Sequence, residues 1–226
     1  VFENNTKGLP LMRPLFFEDS RIKIDTISST YLWGNDFLIS PITKPNQKLQ
    51  KVHFPNTDDW YDFYTKQKFK SGKTKLIKTQ KNSIPTFIRA GAIIPMVKAV
   101  KSTDNYNLDS FELHYYYDDE KNKTKRLIYN DNGLLADAYE KGYYELLEVS
   151  ANHNSKQIKI EFNASNGINY KFNNKQIEVV IYNLKKEPND VFFNSKKISY
   201  HYDKSSQTLH INLNWKTSNK STLNIK

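Results

Sequence analysis

Cysteine is absent from this sequence, which removes disulfides, thiolate zinc sites and cysteine nucleophiles at one stroke. The absence leaves the compartment open, a periplasmic or extracellular one being slightly favoured. No apolar stretch approaches the roughly 18 residues of a membrane helix, so no membrane partner is expected. The first residues lack a basic region followed by an apolar one, and no secretion signal is expected in them. Arginine is scarce: Arg13, Arg21, Arg89 and Arg126 stand alone among dispersed lysines. The net charge of +10 therefore reads as compositional bias and solvation rather than a phosphate-reading face, and no nucleic-acid partner is expected. No segment carries apolar residues at helical spacing, which excludes a helical bundle. A nucleophile elbow of the G-x-S-x-G type and a phosphate-binding glycine loop are also missing, and no cofactor is expected.

What the chain has in abundance is aromatic residues, 14% of its 226 positions, enough to argue against disorder. Apolar residues recur with period two at Leu113, Tyr115 and Tyr117; Ile158, Ile160 and Phe162; Ile177, Val179 and Ile181; Ile198, Tyr200 and Tyr202; and Leu209, Ile211, Leu213 and Trp215. Such alternation puts one side of each strand in a core and the other in water, so the expected fold is mainly β, built from antiparallel sandwiches.

One segment does not alternate. Leu9, Leu11, Met12, Leu15, Phe16 and Phe17 form a run that suits a strand covered on both faces, as in a parallel sheet. The seven residues ahead of "GLPLMRPLFFEDS" are too few for a parallel crossover, so the neighbours of this strand are expected to lie elsewhere. Polar and turn-forming residues over "KAVKSTDNYNLDS" (98–110) mark a boundary. Three pieces result: a lone buried strand over 1–18, a β unit over 19–100 and a β-sandwich over 101–226.

The second piece carries the most specific sequence. After "GLPLMRPLFFE" come "YLWGNDFLISPI" (31–42), "VHFPNTDDWYDFYT" (52–65) and "SIPTFIRAGAIIPM" (83–96). This ordered series resembles the C-terminal part of glycoside hydrolase family 31, the group of α-glucosidases and α-xylosidases. The likeness departs at Phe37 and Ile39, which flank a single leucine, at Ser40, and at "NTDD" in place of a glycine turn. "KRLIYNDNGLLADAYEKGYYELLEVS" (125–150) resembles the family's distal domain more loosely, with Asn132 replacing an aspartate. The resemblance implies that "PLMRPLFF" is the last strand of an otherwise absent (β/α)8 catalytic barrel followed by two β-domains, and that the chain is an accessory region whose partner is that barrel. Neither of the family's catalytic aspartate motifs occurs here. No catalytic, substrate-binding or metal-binding residue is therefore assigned.

The residues that invite chemistry have structural readings beside the functional ones. Asp58 and Asp59 read as hairpin-turn residues, Asp118 to Glu120 as the start of a solvated loop without the spacing of a calcium site, and Asp131 with Asn132 and Gly133 as a turn. Arg13, inside an apolar strand, needs a buried partner, expected in the barrel. Arg89 poses the same alternatives, with a packing role favoured beside Gly91, a glycine that signals close backbone approach. Glu18 and Asp19 would lie on the active face of a barrel, at the end of its strand. His53, His114, His153, His201 and His210 show no metal spacing. Trp33, Trp60 and Trp215 read mostly as core, Trp215 facing inward. The alternative function is an independent carbohydrate-binding or protein-interaction module, in which oligosaccharide would stack on exposed tyrosines of Tyr115, Tyr116 and Tyr117.

Overall fold

The alternation read from the sequence becomes strand pairing throughout a computed structural model that describes residues 2–20 and 29–226; Arg21 lies outside them. Contacts divide the chain between Ala90 and Gly91. The first unit opens with a short helix, α1 (Phe2–Lys7), and holds β1 (Met12–Pro14), β2 (Tyr31–Trp33), β3 (Phe37–Ile39), β4 (Leu49–His53), β5 (Trp60–Asp62), β6 (Lys68–Phe69), β7 (Thr74–Lys78) and β8 (Thr86–Arg89). Six of these strands form one sheet in the order β1-β2-β3-β8-β5-β6, and β4 pairs with β7. Leu15, Leu32, Leu38, Val52, Phe54, Trp60 and Phe87 close the core.

The second unit contains β9 (Ile93–Met96), β10 (Ser110–Tyr116), β11 (Lys123–Asp131), β12 (Tyr144–His153), β13 (Ile158–Asn166), β14 (Asn174–Tyr182), β15 (Val191–Phe193), β16 (Lys196–Lys197), β17 (His201–Asp203), β18 (Thr208–Lys216) and β19 (Ser221–Ile225). A five-stranded sheet, β17-β18-β14-β10-β9, faces a six-stranded one, β11-β12-β13-β19-β15-β16. Inward residues of both, among them Phe111, Leu113, Val179, Ile211, Leu147, Val149, Ile160 and Phe162, share one core, as face-to-face sheets require. Two refinements of the sequence reading emerge. β10 and β14 run parallel, with Ser110 opposite Gln176 and Tyr116 opposite Tyr182, so the sandwich is not wholly antiparallel. Ile198 and Tyr200 lie outside any strand yet pack on the core, where a connecting segment mimics strand periodicity.

The N-terminal run departs further from expectation. Only Met12–Pro14 is strand, paired antiparallel with β2 so that Met12 faces Trp33 in register, and Leu15–Phe17 turns into a 3-10 helix. The expected parallel, doubly covered strand is not formed, because among the described residues β1 pairs with β2 alone. Leu15 is buried, whereas Met12 is 59% and Phe17 54% exposed.

Candidate functional site

The first unit gathers its charged residues around Arg89, at the end of β8. Its Nε donates to the Asn35 carbonyl at 2.7 Å, Nη1 donates to Thr57 Oγ1 and to Asp58 Oδ2, each at 2.9 Å, and Nη2 lies 3.2 Å from Glu18 Oε2. The guanidinium also sits over the Trp60 ring, 4.7 Å from its centroid. Trp60 is directly opposite Arg89 across the β5–β8 pair, so strand register sets this cation–π contact. One arginine thus ties together Glu18, the 34–36 turn, the 57–58 turn and β5. Glu18 and Asp58 are bound to the same guanidinium, and the arrangement braces rather than presents a reactive carboxyl pair.

Asp59 serves the neighbouring hairpin. It accepts the Ser71 amide at 2.9 Å and is ion-paired to Lys70 at 2.8 Å and Lys68 at 3.1 Å. Burial pushes the pKa of its carboxyl up, but Lys70, the Ser71 amide and Lys68 together outweigh that and hold it below the ordinary 3.8. The carboxylate therefore stabilises the folded state above the ordinary value, and that contribution is lost as pH falls through the lowered one. Asp59→Asn is expected to cost about 1 kcal/mol at neutral pH, since the lysines are partly exposed, and to leave the hairpin's stability less sensitive to acid below 3.8. Urea titrations at pH 7 and pH 3 would read both effects; equal acid sensitivity in the two proteins would refute the assignment.

Arg13 is buried on edge strand β1, as its neighbours in sequence demand, but its partners are local. Nη2 donates to the Gly34 carbonyl and, at 2.7 Å, to Asn35 Oδ1. No carboxylate among the described residues pairs with it, and Nε has no partner there. On the same N-terminal segment and on the paired strand β2, Leu9, Met12, Phe16, Phe17 and Trp33 leave large apolar areas exposed.

In the second unit the acidic clusters resolve into turns. Asp118 Oδ1 accepts the Glu120 amide at 2.9 Å, while Asp119 is held below the usual carboxylate range by Lys185 and then by the Tyr117 hydroxyl. His153 Nε2 approaches the Asp118 and Lys121 carbonyls at 3.0 and 3.1 Å; carbonyls only accept, so Nε2 carries the proton. Asp131 Oδ1 accepts the Gly133 amide and Oδ2 the Tyr129 hydroxyl, each at 2.7 Å. Gly91 has φ +80°, and a Cβ there would meet Lys121 Cγ at 2.6 Å, which is the close approach its sequence context suggests. Among the described residues no three metal-ligating side chains converge.

The aromatic platform fares differently. Tyr115 and Tyr116 are each 1% exposed, Tyr115 because it faces the core and the outward-facing Tyr116 because it packs against Tyr182 at 5.0 Å; neither offers a stacking face, and Tyr117 is half-buried against the core. Trp60 and Trp215 are core, and Trp33 is exposed.

Sequence inspection missed an ion pair within the sandwich. Lys175 on β14 and Glu145 on β12 lie 2.7 Å apart, Nζ to Oε2, both with 0% side-chain exposure. Parity was the available signal: Lys175 shares the inward phase of Ile177, Val179 and Ile181, and Glu145 that of Leu147 and Val149.

Comparison with known proteins places these features. The model of the glycosyl hydrolase family 31 C-terminal domain matches residues 8–94. An α-xylosidase from Saccharolobus solfataricus is 33% identical over 156 residues, 68% of this chain and 20% of the relative. Neutral α-glucosidase AB of Dictyostelium discoideum is 27% identical over 93% of this chain and 23% of its own length. In structure, a family 31 dextranase from Flavobacterium johnsoniae superimposes on the whole chain with a TM-score of 0.86 at 18% identity, over 30% of that protein. The chain spans about a fifth to a quarter of the curated relatives named here.

Proposed function

With residues 8–94 constituting a family 31 C-terminal domain, we propose that this chain is the accessory region of a retaining α-glycosidase, seated against its catalytic barrel and inactive alone. The observation that carries this reading is the set of exposed apolar side chains on and beside β1 and β2, Leu9, Met12, Phe16, Phe17 and Trp33, together with a buried arginine on β1 whose Nε has no partner among the described residues. Contiguous exposed apolar surface marks an interaction site, and a buried guanidinium calls for an acceptor. Among the described residues β1 is also the edge of its sheet, and an edge strand offers a strand-pairing template. A barrel strand and an acidic side chain beside it would satisfy all three. In this arrangement the Arg89 network is internal stiffening: it ties Glu18, which follows the N-terminal segment, to the 34–36 turn that follows β2. Retaining hydrolysis needs two carboxyl groups about 5–5.5 Å apart, and in this reading the barrel contributes both.

Sedimentation of the chain mixed with the barrel-bearing polypeptide of the parent enzyme should show a one-to-one complex, with turnover of nitrophenyl α-glycosides only in the mixture. Trp33→Asp should weaken association at least about tenfold, the loss of a large desolvated contact. Turnover by the chain alone that depends on one of its own carboxylates would refute the proposal.

A further inference from the structure

The outer face of the five-stranded sheet in the second unit holds a concave site of about 250 Å³ that the reading above leaves unused. Its walls are six polar side chains in a two-by-three lattice. One row runs Ser110, Gln176, Asn214 and the next Glu112, Glu178, Asn212, each residue opposite its neighbour across β10, β14 and β18. Strand spacing puts neighbours in a row about 4.8 Å apart, and successive outward residues on one strand about 6.7 Å apart.

The two glutamates are register partners on the adjacent parallel strands β10 and β14, which puts two acidic side chains side by side on the same face of the sheet. Each is oriented by a histidine: His114 Nε2 lies 2.7 Å from Glu112 Oε2 and His210 Nδ1 2.8 Å from Glu178 Oε1. Those contacts leave Glu112 Oε1 and Glu178 Oε2 without a partner among the described residues. The side-chain amides of Gln176, Asn212 and Asn214 and the Ser110 hydroxyl are equally uncommitted there, and Lys98 stands at the rim.

We propose that this lattice binds a neutral oligosaccharide, an α-linked gluco- or xylo-oligosaccharide, edge-on through its hydroxyl groups. The assignment follows from charge and donor count. Paired carboxylates repel an anion and call for donors; amides supply donor and acceptor side by side, the match for vicinal hydroxyls; and polar walls disfavour an apolar guest. The choice of sugar rests on the function proposed above, in which the parent enzyme acts on such chains. The site would then hold a polymer away from the chemistry and raise its local concentration.

The test is a titration of the isotopically labelled full chain with maltotriose, isomaltotriose and xylotriose, followed by NMR. Millimolar binding is expected, with shifts concentrated on the side-chain amides of Gln176, Asn212 and Asn214. Glu178→Gln and Asn212→Ala, each checked for an otherwise unchanged spectrum, should weaken it at least about tenfold, while Trp33→Asp should not. Absence of shifts with all three sugars, shifts mapping to other residues, or the same shifts with calcium chloride alone would overturn the proposal. Failure here alongside intact association with the barrel polypeptide would strike this site only; sugar binding without that association would strike the accessory function only.

Discussion

Glu145→Ala should destabilise the second unit by about 3–5 kcal/mol, the cost of leaving one member of a buried ion pair uncompensated. Lys175, with no exposure at all, would keep its charge inside the sandwich with only Asp109 at 3.5 Å as a partial substitute, and Asp109 is largely solvated. Lys175→Met should cost a comparable amount by stranding the carboxylate, one of whose oxygens, Oε1, already lacks a hydrogen bond among the described residues. The double variant Lys175→Met with Glu145→Leu should recover most of the loss, because an apolar pair of similar volume need not be desolvated at such expense. Since the chain has two units, a single transition is not assumed. Trp215 lies in the second unit and Trp33 and Trp60 in the first, so denaturation of a Trp215→Phe background against the parent separates the two. Additive losses in the double variant would show that the pair is not coupled.

The second large effect is expected in the first unit. Trp60→Ala should cost about 3–5 kcal/mol, the range for truncating a fully buried large aromatic. Trp60 has 0% exposure, stands opposite Phe69 and Arg89 in register, and adjoins the core built around Phe54, Phe69 and Phe87, whose rings meet at 4.8 to 5.4 Å. Its loss removes both core volume and the surface on which Arg89 rests. Trp60→Phe should cost far less, since it keeps an aromatic face and removes an indole N–H that has no acceptor among the described residues. Urea unfolding followed by circular dichroism reads the difference; equal losses for the two variants would refute the account.

These examples show which features of the chain were legible beforehand. Parity along a strand is a local property, and so Phe111, Val179, Ile211 and Trp215 could be placed in a core from spacing alone. Partnership is not local. Arg89 reaches Glu18, 71 positions away by number, and Asp58, and no periodicity announces that those three converge. Asp59 follows the same logic: its turn context was readable, its two lysines on the far side of the hairpin were not. Tyr116 shows the opposite failure, since outward parity was taken as exposure although a second tyrosine on the neighbouring strand covers it. The parallel β10–β14 pair, joining Ser110 to Gln176, was likewise beyond any window of sequence.

The position of β19 carries a consequence for biosynthesis. Ser221–Ile225 is inserted between β13 and β15, with Ile225 opposite both Ile158 and Val191, so the six-stranded sheet stays split until β19 itself has been synthesised. At about 5–20 residues per second, the strands of that sheet made earlier wait seconds for the strand that joins its two halves.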